Sequence, residues 1–184
     1  MKQTSKLQFM ITIALFSAII SVFSQITIPL PLIPITGQTL AIGLAATIMG
    51  SRNGTASVIL YIMIGAIGIP VFAQFSAGLG VIVGPTGGFL IGFIPATFII
   101  GYYLEKTSFT IGHALIANVI GTFITLCFGT LWLKLSAELP WRAAFMSAFA
   151  PFIIVGLIKA YIAASIGIIV RNRLAKANLL LETT

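Results

Sequence analysis

No charged residue interrupts the chain between Arg52 and Glu105. A run of that length cannot be folded as a water-facing surface, because an aqueous surface needs far more polar cover. The whole sequence follows suit. Of 184 residues, 59% are hydrophobic and 7% charged, and the mean hydropathy is +1.14, whereas a soluble domain carries about 25% charged residues. The chain is therefore read as an all-α, multi-pass protein of the cell membrane, solvated by lipid. Its length leaves room for about six spans of ~20 residues with short connections.

The apolar segments divide at turn residues and charges. Spans are expected over residues 7–26, 37–50, 55–70, 85–103, 111–133 and 143–170, within a single domain covering residues 1–184. Pro29, Pro31 and Pro34 end the first span and fix an extended hinge. The second segment is short for a crossing, so it is tilted or completes its length with that hinge; five spans would result if it did not cross. An N-terminal secretory signal is a poor reading of the first span, since no convincing cleavage site follows it. Trp132 and Trp141 flank the last polar loop as expected headgroup anchors.

Six spans put both termini on one side. Lys2, Lys6, Arg52, Lys106, Arg171, Arg173 and Lys176 then share that side, against Lys134 and Arg142 on the other. The bias places both termini in the cytoplasm and accounts for the net charge of +7 without invoking nucleic acid. Rows of small residues (Ala14 and Ala18; Gly84, Gly88 and Gly92; Gly121 and Gly129 around Thr125) suit close helix packing in lipid.

Residues 70–93, PVFAQFSAGLGVIVGPTGGFLIGF, break this regularity. The stretch is too apolar for an exposed loop and too rich in Gly and Pro for one helix. Irregular backbone at membrane depth is tolerated where protein buries it or where it lines a cavity. Residues 71–83 are thus expected as a lid-like loop on the outer face, with residues 84–93 beginning the fourth span.

Lys159 is the second anomaly. It stands in PFIIVGLIKAYIAASIGIIV, about 18 Å of helix before Arg171 and so near mid-membrane. A lysine there costs roughly 2.5–3.5 kcal/mol on insertion scales and marks a function by default. The chain has no Asp, and Glu105, Glu138 and Glu182 all lie in loops or the tail. An anionic ligand would supply the missing countercharge; a lysine that snorkels or is held by backbone carbonyls is the alternative. Gln38, Thr39, Tyr61, Gln74, Ser76, Thr86 and Asn118 are the other polar candidates, Asn118 more as an interhelical partner. Cys127 is the only cysteine and His113 the only histidine, so neither a disulfide within the chain nor a metal site is expected. No phosphate-binding loop, paired carboxylates or zinc motif is present, and the chain reads as a binding protein without its own energy source, not as an enzyme.

PLPLIPITGQTL, LYIMIGAIGIPVFA and GPTGGFLIGF, in this order and spacing, resemble the BioY proteins, the biotin-binding S-components of energy-coupling-factor (ECF) transporters. The resemblance covers most of residues 25–165. It implies the S-component fold, six transmembrane helices, biotin as ligand with no cofactor, and uptake driven by a transmembrane T-component with two ABC ATPases. The Ala14–Ala18 pair is similar to the AxxxA element that packs on the T-component. PFIIVGLIKA is similar to the family's PFxPGDxIKA, with Lys159 on its lysine and Gly156 where the family usually has Asp. On this reading Phe72, Phe75 and Phe89 cover the apolar parts of biotin. Gln38, Thr39, Gln74 and Thr86 meet its polar groups, and Lys159 meets either its carboxylate or its ureido oxygen. An S-component for another small vitamin or a lipoate-like acid is the alternative, and a ligand-free structural membrane subunit a third.

Overall fold

In a computed structural model, residues 2–30 and 32–177 are described; Pro31, Glu182 and the Lys2 side chain lie outside them. The elements run in the order α1 (Lys2–Gln25), β1 (Thr27–Ile28), β2 (Ile35–Thr36), α2 (Gln38–Ala66), a 3-10 turn (Ala73–Phe75), α3 (Leu79–Val83), α4 (Gly87–Lys106), α5 (Ile111–Ser136), α6 (Trp141–Ala148) and α7 (Ala150–Lys176).

α2 is two membrane helices, not one. Gly50 breaks it at φ 80°, ψ −171°, a conformation open to glycine and almost nothing else. The chain folds back there. Gln38 and Tyr61 are 23 residues apart, which in a straight helix would separate them by about 34 Å, yet the Gln38 amide Nε2 donates to the Tyr61 hydroxyl at 2.5 Å. Ser57 likewise reaches the Met49 sulfur at 3.7 Å. With α2 counted as two, and α1, α4, α5 and α7, the bundle has six transmembrane helices.

The expected proline hinge is a two-stranded antiparallel hairpin, with Thr27 opposite Thr36 and Ile28 opposite Ile35. This small sheet is an addition to an otherwise helical fold. The 71–83 stretch contains the 3-10 turn and α3, and the 143–170 stretch contains most of α6 and most of α7, which continues to Lys176. The two helices meet at Phe149.

Close packing holds the bundle together, as it must where lipid removes the hydrophobic drive between helices. Gly88 and Gly92 lie against Trp132 and Phe128 of α5, Gly129 lies against Phe89, and Gly121 against Ile100. Buried polar side chains add specific ties. Asn118 Nδ2 donates to Thr47 Oγ1 at 2.9 Å and to the Ala114 carbonyl at 2.8 Å, joining α5 to the first half of α2.

The two ends of the bundle differ. At one, Gly101 is pressed onto the Gly50–Ser51 backbone, and the Glu105 carboxylate accepts from the Ser51 amide and hydroxyl, each at 2.7 Å. The Arg171 guanidinium donates to the Ile48 carbonyl and lies 3.5 Å from the centre of the Phe109 ring. The start of α1 belongs to this end, where Ile13 and Phe16 pack with Ile48, Met49, Val170 and Leu174. The start of α1 and the end of α7 therefore share the face that collects Lys6, Arg52, Lys106, Arg173 and Lys176, the cytoplasmic one by charge. The hairpin, the 3-10 turn, α3 and Trp132 gather at the opposite, outer end.

Candidate functional site

The outer half of the bundle encloses a cavity of about 360 Å³, within the range of small-molecule sites. Its walls come from the hairpin, the loop after Pro70, α3, and the outer parts of α2, α4, α5 and α7. Each wall follows from local sequence. Pro34 ends the hairpin loop and delivers Thr36, Gln38 and Thr39 to the cavity. Gly88, at the start of α4, admits Trp132, whose indole N–H donates to the Gly84 carbonyl at 2.9 Å. Trp132 thus fixes the loop before α4, where a headgroup anchor was expected; Trp141 is 60% exposed.

Lys159 is the only charged residue among those lining the cavity. Its ammonium donates to the Thr36 carbonyl at 2.6 Å and to Thr39 Oγ1 at 3.2 Å. An ammonium has three N–H donors, so two are engaged by the protein and one is left for a ligand. The same bonds tie α7 to the hairpin. Carbonyl and hydroxyl oxygens soften the cost of the buried cation without neutralising it.

Gln38 is buried, fixed between the Thr36 hydroxyl, which donates to its Oε1 at 2.8 Å, and the Tyr61 hydroxyl. Phe72 is 1% exposed, packed edge-on to Tyr61 with centroids 5.5 Å apart, in the gap left by Gly65. Phe89 meets Phe152 at 6.0 Å and forms an apolar wall. Thr39, Gln74 and Thr86 also line the cavity. The structure thus gathers Lys159, Gln38, Thr39, Phe72, Gln74, Thr86 and Phe89 around one space. Phe75 is outside it: the residue is 71% exposed, because the left-handed backbone of Gln74 and Phe75 (φ 58° and 55°) turns it away. Ala14 and Ala18 lie far from the cavity, on the exposed face of α1.

Several contributors were not singled out from sequence. The Thr36 carbonyl, which holds Lys159, is backbone and leaves no residue-type signal. Phe152, Thr122 and Thr125 read as ordinary span residues. Ser24 and Gln25 hold the loop after Pro70, and a polar pair closing an apolar span was a usable clue. Gly156 lines the cavity, and a Cβ there would come within 2.6 Å of Thr122 Cγ2, so its smallness sets the α5–α7 spacing.

The BioY family profile matches residues 1–176. The chain belongs to the BioY family. It is 39% identical over 176 residues to the biotin transporter BioY2 of Lactococcus lactis subsp. cremoris (strain MG1363), covering 96% of this chain and 97% of that protein. To the biotin transporter BioY of Thermotoga maritima it is 38% identical over 159 residues, covering 86% and 93%. Among solved structures, the 2.1 Å crystal structure of the S-component for biotin from an ECF-type ABC transporter superposes with a TM-score of 0.85 at 27% identity, over 94% of this chain and 95% of that one. This BioY chain therefore has the S-component fold, and it is a membrane protein of a transporter family.

Proposed function

We propose that this chain binds biotin at the outer face of the cell membrane as the S-component of an ECF transporter, delivering it for uptake. The observation that carries the reading is a cavity with apolar walls and a single cation, Lys159, and no carboxylate among its lining residues. Biotin complements it: a compact, mostly apolar body, one carboxylate, and a ureido group that both donates and accepts. The relatives that carry the name biotin transporter support the same ligand. The work is binding and transfer, not catalysis, and no cofactor takes part.

Because the chain has no nucleotide-binding motif of its own, the energy comes from partners, a transmembrane T-component and two ABC ATPases. The exposed Ala14 and Ala18 supply a flat strip on α1 against which a partner helix can pack closely. Replacing both with Trp should abolish co-purification with the T-component while leaving biotin binding intact.

The primary test is a titration of the purified protein in detergent with biotin, followed by competition with lipoate and other vitamins. Saturable binding displaced by biotin alone is expected. Saturable binding of lipoate or another vitamin in preference to biotin would reassign the ligand. No change in melting temperature with any of them would point to a structural subunit instead.

A further inference from the structure

Gln25, the last residue of α1, contributes nothing to the cavity lining, yet its side chain grips the loop that does. Its Oε1 accepts from the Phe75 amide at 2.9 Å. Its Nε2 donates to the Phe72 carbonyl at 3.1 Å and makes a longer contact with the Val71 carbonyl at 3.4 Å. The two N–H bonds of this nitrogen are shared between those carbonyls and Ser24 Oγ at 2.7 Å and the Ser21 carbonyl at 3.2 Å. Ser24 reinforces the contact by donating to the Val71 carbonyl at 2.5 Å.

The segment held in this way resists its own conformation. Gln74 and Phe75 are consecutive left-handed residues, neither of them glycine, and side chains disfavour that region. Bonds inside the turn, from the Phe72 amide to the Ser76 carbonyl at 3.0 Å and from the Ser76 hydroxyl to the Ala73 carbonyl at 2.7 Å, close it locally. They do not fix it against the bundle. Beyond the buried Phe72 ring and the Gly78 amide on the Gly65 carbonyl at 2.7 Å, that task falls to the α1 terminus. A primary amide carries its donor and its acceptor on separate atoms, so it can donate to Phe72 and accept from Phe75 at once.

We propose that Gln25 is a positioning residue for the binding site: it holds residues 72–76 over the cavity in the shape that retains the ligand. The proposal rests on the biotin-binding reading for its functional part and on the geometry alone for its structural part. Gln25 acts through the loop, so its removal speeds ligand escape more than it slows entry.

The test compares wild type, Gln25→Ala and Gln25→Glu as purified full chains in detergent. Glu keeps the acceptor for Phe75 but sets an anion against the Val71 and Phe72 carbonyls. Biotin dissociation should be about tenfold faster in Gln25→Ala, the equivalent of roughly two neutral hydrogen bonds, with the association rate little changed. Gln25→Glu should fall no closer to wild type. Amide hydrogen exchange in the ligand-free protein should accelerate in the peptide containing Phe75, while the ligand-free melting temperature stays near wild type. Adding Phe75→Asn to Gln25→Ala should restore slower dissociation in part, because asparagine tolerates the left-handed region. Unchanged dissociation and unchanged exchange at Phe75 would overturn the proposal. So would faster dissociation that tracks a fallen melting temperature and is not rescued by Phe75→Asn. If wild type binds no biotin, the ligand assignment fails, and the exchange measurement still decides whether Gln25 holds the loop.

Discussion

Replacing Lys159 with Met keeps the length of the side chain and removes its charge and all three donors. Two separable consequences follow. The first concerns the ligand. One hydrogen bond from a charged group contributes about 1.5–3 kcal/mol, and losing the tie between Lys159 and the Thr36 carbonyl at 2.6 Å loosens the hairpin by about 1 kcal/mol more. Together, about 2.5–4 kcal/mol corresponds to a rise in biotin Kd of about 60- to 700-fold. The second concerns the protein alone. Removing a mid-membrane ammonium relieves roughly 2.5–3.5 kcal/mol on insertion scales, while losing its bond to the Thr36 carbonyl at 2.6 Å costs about 1.5–3 kcal/mol and its longer contact with Thr39 at 3.2 Å about 0.5–1.5 kcal/mol more. These nearly cancel, so the ligand-free melting temperature should stay within a few degrees of wild type. Isothermal titration with biotin and a thermal melt without it measure the two terms independently. A Kd within threefold of wild type would refute the reasoning, since Lys159 would then serve only to tie α7 to the hairpin. A large fall in ligand-free stability would refute it differently, by showing that the tie outweighs the cost of the buried charge.

Gly50→Ala should lower the melting temperature by about 2–12 °C, from roughly 1–3 kcal/mol of backbone strain at φ 80°, ψ −171°, read by thermal melting in detergent. Glu105→Ala should also destabilise, because it leaves the buried Ser51 amide and hydroxyl without their 2.7 Å acceptor; the same melt checks it, and a Glu105→Gln variant should lose less. Tyr61→Phe should weaken biotin binding modestly, by freeing the Gln38 amide from its 2.5 Å partner and letting it rotate within the cavity wall; titration of the variant measures it. Gly156→Asp alone should reduce both stability and affinity through its encounter with Thr122, and adding Thr122→Ser, which removes the obstructing methyl, should recover part of each.

Much of this architecture can be read from residue types because lipid makes few alternatives viable. A charge-poor chain must satisfy its backbone internally, so helices follow, and the Lys/Arg bias orients them. The two halves of α2 are separable in the sequence because GSRNG interrupts the apolar run. Pro29 and Pro34 announce extended backbone, yet nothing in them specifies the partner strand, since the Thr27–Thr36 pairing is set by how α1 and α2 converge. In the cavity, Lys159 and the aromatic residues announce themselves by chemistry that is costly or bulky in lipid. Phe75 misled for a conformational reason: residue type and spacing cannot reveal a left-handed pair that turns one ring outward while its neighbours face in. The Thr36 carbonyl could not be anticipated at all, because every residue carries the same group and only the fold decides which one meets Lys159.

The contrast between the two ends decides which way a ligand can travel. Toward the cytoplasmic end, a path from the cavity would have to part Asn118 from Thr47, Gly101 from the Gly50–Ser51 backbone, and Glu105 from Ser51. These are a close-packed glycine, a buried neutral bond and a part-buried pair of charge-assisted bonds, and they would have to separate together. Toward the outer end, the cavity is covered by a short hairpin, a 3-10 turn and a five-residue helix. Their ties to the bundle are few and local: Lys159 to the hairpin, Gln25, Ser24 and the buried Phe72 ring for residues 71–76, the Gly78 amide on the Gly65 carbonyl, and Trp132 to Gly84. Each of these can release while the helices stay packed. Entry and escape therefore run through the outer loops, and residence time in the cavity depends on the contacts that hold them.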